Sequence, residues 1–171
     1  DGTTFKRETF SSYPDDVTVT HLTKKGNKTL DFTLWNSLTE DLLANGDYSW
    51  EYSNYKNGHV TTDEHGILLK GTVKDNGLKF ASYLGIKTDG TVTVQNETLT
   101  VTGASYATLY LSAKTNFAQN PKTNYRKDID LEKTVKGIVE AAKTKDYETL
   151  KKDHIKDYQS LFNRVKLNLG G

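Results

Sequence analysis

Cysteine is missing from all 171 residues, which removes disulfides, thiolate metal sites and cysteine nucleophiles at once while leaving the compartment open. Methionine is missing as well, so Asp1 is not expected to be the first translated residue; a removed leader or a longer upstream chain would account for it. No uninterrupted apolar run approaches the roughly 20 residues that a membrane-spanning helix needs, and no targeting segment is recognisable. Net charge is nearly lacking too. The 23 basic and 22 acidic side chains leave +1, with no basic stripe interleaved with aromatics, so no nucleic-acid partner is expected. Apolar residues make up only 35%, a low share partly offset by 10 tyrosines and many threonines of the kind that favour strands.

Short strand-like runs come first. Residues 5–10 and 17–22 flank Tyr13-Pro14-Asp15-Asp16, where proline presets its φ and the aspartates can bond nearby N–H groups, so a turn is expected. Gly26-Asn27 marks a second turn before residues 29–35, in which Leu30, Phe32 and Leu34 alternate with polar side chains. A short helical turn over 38–43 would be broken by Asn45-Gly46, and turns are expected at Asn57-Gly58 and His65-Gly66. Residues 67–73, 78–86, 92–94, 99–101 and 107–113 continue the strand series, separated by Asp75-Asn76-Gly77, Asp89-Gly90, Asn96-Glu97 and Gly103-Ala104. Closely spaced strands with such turns, and no long helical pattern between them, predict antiparallel sheets packed as a β-sandwich.

The composition then changes. Over residues 130–143, Leu131, Val135, Ile138, Val139 and Ala142 form one apolar stripe. A second helix follows with Asp146 as N-cap, Glu148 in its first turn, and Tyr147, Leu150, Ile155, Tyr158, Leu161 and Phe162 as its apolar positions. Beyond it Val165, Leu167 and Leu169 alternate, predicting a short final strand. The whole reads as a mainly β chain: a sandwich segment over residues 1–125 and a helical linker over 126–171.

Candidate sites are few. Tyr48, Trp50 and Tyr52 alternate along one stretch, so their rings share a strand face and offer flat apolar area with polar edges to a sugar; the same alternation also fits the buried face of a sheet, and core packing is the default. His59 and His65 flank Asp63-Glu64, the nearest approach to a metal-binding cluster, although a solvated turn explains it and no metal or cofactor is expected. His154 lies three residues before Asp157, close enough for a side-chain contact. No carboxyl pair has the apolar flanks that would raise a pKa for glycoside hydrolysis, and no nucleophile elbow or phosphate loop is present.

Some segments say more than their physics alone. Arg7-Glu8-Thr9-Phe10-Ser11-Ser12-Tyr13-Pro14-Asp15-Asp16-Val17 resembles the Arg-Glu-x-Phe-x-Ser-x-Pro-x-x-Val signature in the N-terminal β-domain of glycoside hydrolase family 95, the α-L-fucosidases. Leu69-Lys70-Gly71, Gly77-Leu78-Lys79-Phe80 and the run from Leu109 to Phe117 look like later pieces of that domain. Tyr147-Glu148-Thr149-Leu150, His154, Asp157-Tyr158, Leu161-Phe162, Arg164-Val165 and Leu167-Asn168-Leu169-Gly170 are similar to the helical segment that leaves it.

The resemblance implies a bacterial or plant type of enzyme, here expected to be bacterial and extracellular or cell-surface, with a β-supersandwich, linker helices and an (α/α)6 barrel. The barrel holds the catalytic carboxylates of an inverting mechanism, so no catalytic residue is assigned to this chain, which alone is expected to be inactive. Its expected partner is the barrel of the parent chain, with glycans as a further expectation. An autonomous carbohydrate-binding module using Tyr48, Trp50 and Tyr52 is the alternative. Part of the β-domain is expected upstream of Asp1, which would leave strand edges open to self-association.

Overall fold

The computed structural model describes residues 2–37, 56–168 and 170. Nine strands are described: β1 (Thr4–Ser12), β2 (Val17–Lys25), β3 (Leu30–Leu34), β4 (Lys56–Asp63), β5 (Gly66–Val73), β6 (Lys79–Thr88), β7 (Thr91–Gln95), β8 (Thr98–Ala104) and β9 (Tyr106–Thr115). Two helices follow, α1 (Leu131–Lys143) and α2 (Tyr147–Phe162). The strands form a six-stranded sheet in the order β1-β2-β9-β6-β5-β4 and a three-stranded sheet in the order β3-β8-β7. Every pairing is antiparallel, as expected of strands joined by short turns.

The turns form for local reasons. Asn96 and Glu97 sit at φ 49° and 56°, the left-handed pair that joins two twisted strands through a two-residue loop. At the first turn Ser12 Oγ donates to Asp15 Oδ2 at 2.7 Å and Asp16 N to Tyr13 O at 3.2 Å. Between β4 and β5, Asp63 Oδ1 accepts from His65 N at 2.8 Å and Gly66 N at 3.0 Å.

The large sheet is the middle layer of three. One face carries Val17, Val19, Leu68, Ala81, Tyr83 and Tyr110 against Leu131, Val135, Val139, Ala142 and Leu150 of the helices. Because side chains alternate along a strand, the other face carries Leu22, Ile86 and Leu109 against Leu30, Leu99, Val101 and Ala104 of the small sheet. Gly85 lies where α1 crosses β6, and a Cβ there would come 2.5 Å from Val139 Cγ1, so this glycine sets the helix-to-sheet distance.

Two of the expected turns do not form. Asn57-Gly58 makes no turn; it lies within β4, with Gly58 opposite Gly71. The reversal is already made at Asp63 to Gly66, where a Cβ on Gly66 would lie 2.1 Å from Leu84 O. Gly103-Ala104 likewise stays in β8: Gly103, at φ 72°, donates to Asp31 Oδ1 at 2.7 Å beside a register shift in the β3–β8 pairing.

The predicted final strand does not form over residues 165–168. Val165 and Leu167 are 79% and 80% exposed, with no described strand beside them to complete a ladder. The expected helical turn at 38–43 falls outside the described residues.

Candidate functional site

The terminal helix is built in two unlike halves. Asp146 starts it: its carboxylate accepts from Thr149 N at 2.8 Å and from Thr149 Oγ1 at 2.8 Å, satisfying a donor that the first turn would leave bare. Those bonds hold the Asp146 carboxyl below its ordinary pKa. The first half then docks. Leu150 is fully buried, the Tyr147 ring stacks on His21 with centroids 3.9 Å apart, and His154 stacks on Phe10 at 5.0 Å. His154 is thus engaged with an aromatic ring on β1, and its ring also lies 6.2 Å from that of Tyr158.

Charges surround this aromatic contact. Lys151 Nζ donates to Glu8 Oε1 at 2.7 Å while Lys6 pairs with Glu8 Oε2 at 2.8 Å. Lys151 first, and then Lys6, pull the Glu8 carboxyl down to a pKa of about 2. Lys145 ties the start of α2 to the β1–β2 turn through Asp15 at 2.6 Å, and also reaches Asp153 at 3.2 Å. His21 bonds Thr108 Oγ1 through Nδ1 at 2.8 Å, and burial pushes its imidazole below the usual value.

Among the described residues the second half of α2 has no such cover. Ile155, Tyr158, Leu161 and Phe162 continue the apolar side past the sheet, and Leu161 and Phe162 are 57% and 64% exposed. Tyr158 and Phe162, one turn apart, stack on each other at 5.3 Å. A helix with one docked end and one bare end presents apolar area toward whatever chain lies beside it.

Glycoside hydrolysis by acid catalysis asks for a carboxyl held protonated beside a second one. Among the described residues the displaced carboxyls move the other way. Asp31 is lowered by the Gly103 N–H and Thr29, Asp89 by Ser105 and the Tyr106 N–H, and Glu132 by Lys70 and Lys136. These bonds fix turns and pin α1 to β5 through Lys70 to Glu132 at 2.8 Å.

Tyr48, Trp50 and Tyr52 lie outside the described residues. His59 stands exposed on β4, and the Asp63 carboxylate beside His65 is spent on the turn's N–H groups. Among the described residues no three of His, Cys, Asp and Glu gather as a metal site would require.

One aromatic pair was not singled out in sequence. Phe117 and Tyr125 lie with ring planes 2° apart and centroids 6.3 Å apart. They bracket a loop in which Asn120 O accepts from Tyr125 N at 3.0 Å and Ala118 N donates to Tyr125 O at 3.0 Å. Arg126 Nη2 fastens it to the β5–β6 turn through Asn76 O at 2.7 Å, while Lys127 N donates to Asn116 O at 2.9 Å. Asn124 and Tyr125 both hold positive φ, 50° and 58°, which costs a non-glycine residue roughly 1 kcal/mol or more. The only sequence signal was Asn120-Pro121 between two aromatics, which marks a turn but not what the turn presents.

Comparison with known proteins bears on the whole chain. Residues 1–120 match the family model described as glycosyl hydrolase family 65, N-terminal domain. The chain is 25% identical over 191 aligned residues to alpha-L-fucosidase 2 of Arabidopsis thaliana, covering 98% of this chain and 21% of that protein. Among solved structures it is similar to a protein from the human microbiome named as a kojibiose phosphorylase, at TM-score 0.56 and 10% identity, covering 93% of this chain and 22% of that one. The chain thus spans about a fifth of the length of either relative.

Proposed function

Because the chain belongs to the glycosyl hydrolase family 65 N-terminal domain family, we propose that it serves a larger carbohydrate-active enzyme as a non-catalytic β-domain that carries and braces a helical catalytic domain. The observation that supports this reading is the division of α2, docked through Tyr147, Leu150 and His154 and bare at Ile155, Tyr158, Leu161 and Phe162. Finishing the burial of these half-exposed side chains would stabilise a junction by about 1 kcal/mol each. Helix-on-helix packing suits them, since residues three and four apart line one side.

The parent activity we propose is α-L-fucoside hydrolysis of the family 95 type. It is favoured by the β1–β2 segment from Arg7 to Val17 and by similarity to a plant protein named as a fucosidase. Bond cleavage belongs on this reading to the catalytic domain, in keeping with carboxyls here that are held ionised by turns and lysines. Secretion or surface display accompanies the proposal, since a fucosidase of this kind meets glycans outside the cell.

The test is an assay of the full-length protein and of this chain on an aryl α-L-fucoside and on fucosylated oligosaccharides. The full-length protein should release fucose and the chain alone should not. Fucose release by the chain alone would refute the non-catalytic assignment. Phosphate-dependent breakdown of a glucosyl disaccharide by the full-length protein, without fucose release, would refute the fucosidase assignment.

A further inference from the structure

The Phe117–Tyr125 pair stands apart from the surface just assigned to the catalytic domain. Phe117 is 52% exposed and lines a trough of about 450 Å³ together with Phe80, Ser82, Ala113, Lys114, Thr115 and Lys127, while Tyr125, 45% exposed, lies parallel to the Phe117 ring. That volume is within the range of small-molecule sites. Ser82, Thr115 and two lysines, Lys114 and Lys127, are among the lining residues, with no carboxylate; Lys114 is paired with Asp16 and Thr115 Oγ1 accepts from Phe117 N at 3.3 Å.

The loop is organised to hold these rings. Asn116 is buried, its side chain accepting from Lys79 N at 2.9 Å, so the root of the loop is fixed to the start of β6. Phe117 and Arg126 form an isolated β-bridge that closes the loop, and Asn120 Oδ1 caps its short helical turn by accepting from Lys122 N at 3.1 Å. Tyr125 nevertheless occupies a left-handed conformation that glycine would adopt without cost. The ring at this strained position is half exposed and parallel to a second ring, so the loop presents it to solvent rather than burying it.

We propose that Phe117 and Tyr125 form an accessory glycan contact on the β-domain, taking one or two pyranose rings of a bound oligosaccharide. Aromatic faces meet the C–H face of a pyranose, while Ser82, Thr115 and Lys127 reach its hydroxyl or carboxylate groups. The loop is preorganised by its own hydrogen bonds, which lowers the ordering cost of binding. The choice of a glycan over another flat-faced ligand rests on the carbohydrate-active reading above; the site itself rests on ring geometry. It is a contact within a larger enzyme.

The test uses the full-length protein on immobilised neutral and acidic oligosaccharides, with Phe117→Ala and Tyr125→Gly as variants. Retention on at least one glycan should be saturable, and each variant should weaken it by about tenfold. Tyr125→Gly should do so without lowering the melting temperature, because it relieves the positive φ. Retention of no glycan, or equal retention by both variants and the unaltered protein, would overturn the proposal. So would a thiol at Phe117→Cys that resists alkylation in the folded protein, which would mean that polypeptide covers the rings. Fucose release is read separately, so failure here leaves the hydrolase assignment standing or falling by its own assay.

Discussion

A single missing methyl group decides how closely α1 approaches the sheet. Val139 Cγ1 would lie 2.5 Å from a Cβ on Gly85, with the Tyr83 ring 3.4 Å away, so the space is already filled. Gly85→Ala should therefore destabilise the domain by about 1–3 kcal/mol through overpacking, read as a lower urea midpoint. Adding Val139→Ala should recover part of the loss, because the two sites share one contact. Nothing in Tyr83-Leu84-Gly85-Ile86 announces this; the strand pattern shows that residue 85 faces the helix layer but not how near the helix comes. The left-handed Tyr125 was hidden for a related reason, since its φ is imposed by a loop closed between residues 116 and 127 rather than by its own preference.

At the scale of elements, α2 is held by a cap, a stack and a charge cluster, and each has its own test. Asp146→Ala should cost about 1 kcal/mol, the usual value of a lost N-cap, measured by thermal or urea unfolding. Leu150→Ala should cost about 2–5 kcal/mol, since the side chain is fully buried between helix and sheet. Acid should loosen this element in two stages. His21 has a folded pKa below its ordinary 6.5, so the unfolded state takes up its proton first and stability falls as pH drops from 6.5 through the folded value. Glu8 has a folded pKa of about 2 against an ordinary 4.5, so its contribution is complete above 4.5 and is lost as pH falls toward 2. Glu8→Gln should shrink the second stage to what other lowered carboxyls such as Asp146 contribute, and should lower the His21 pKa further because the Glu8 charge raises it, as followed by unfolding midpoints across pH. The helix boundaries were legible because caps and apolar spacing are local properties. β4 was not, since its strand identity comes from pairing with β5 and overrides the local Asn-Gly signal. The alternation after α2 misled for the opposite reason: alternation without a neighbouring strand makes no ladder.

For the whole molecule, the sequence pattern carried the architecture, with strands first, helices last and an apolar stripe on each helix. It did not carry the layering. That both helices cover one face of the large sheet while β3, β7 and β8 cover the other follows from pairings far apart in sequence, such as Thr18 with Leu111 and Ile86 with Leu109. The candidate surface on α2 was half legible: its apolar positions could be counted, but which of them the sheet already covers depended on where β1 ends. The aromatic row at Tyr48, Trp50 and Tyr52 lies outside the described residues, and the ring pair at Phe117 and Tyr125 emerged only from loop geometry.

The central claim is that the bare end of α2 is a junction with another domain. It is tested most directly by placing a cysteine at Leu161 and measuring its alkylation rate in this chain and in the full-length protein under native conditions, against a background in which any other thiols are blocked or replaced. Rapid reaction is expected in the chain alone, where Leu161 is 57% exposed, and protection in the full-length protein that is released only on unfolding. Equal, rapid reaction in both would show that nothing covers this face and would contradict the account.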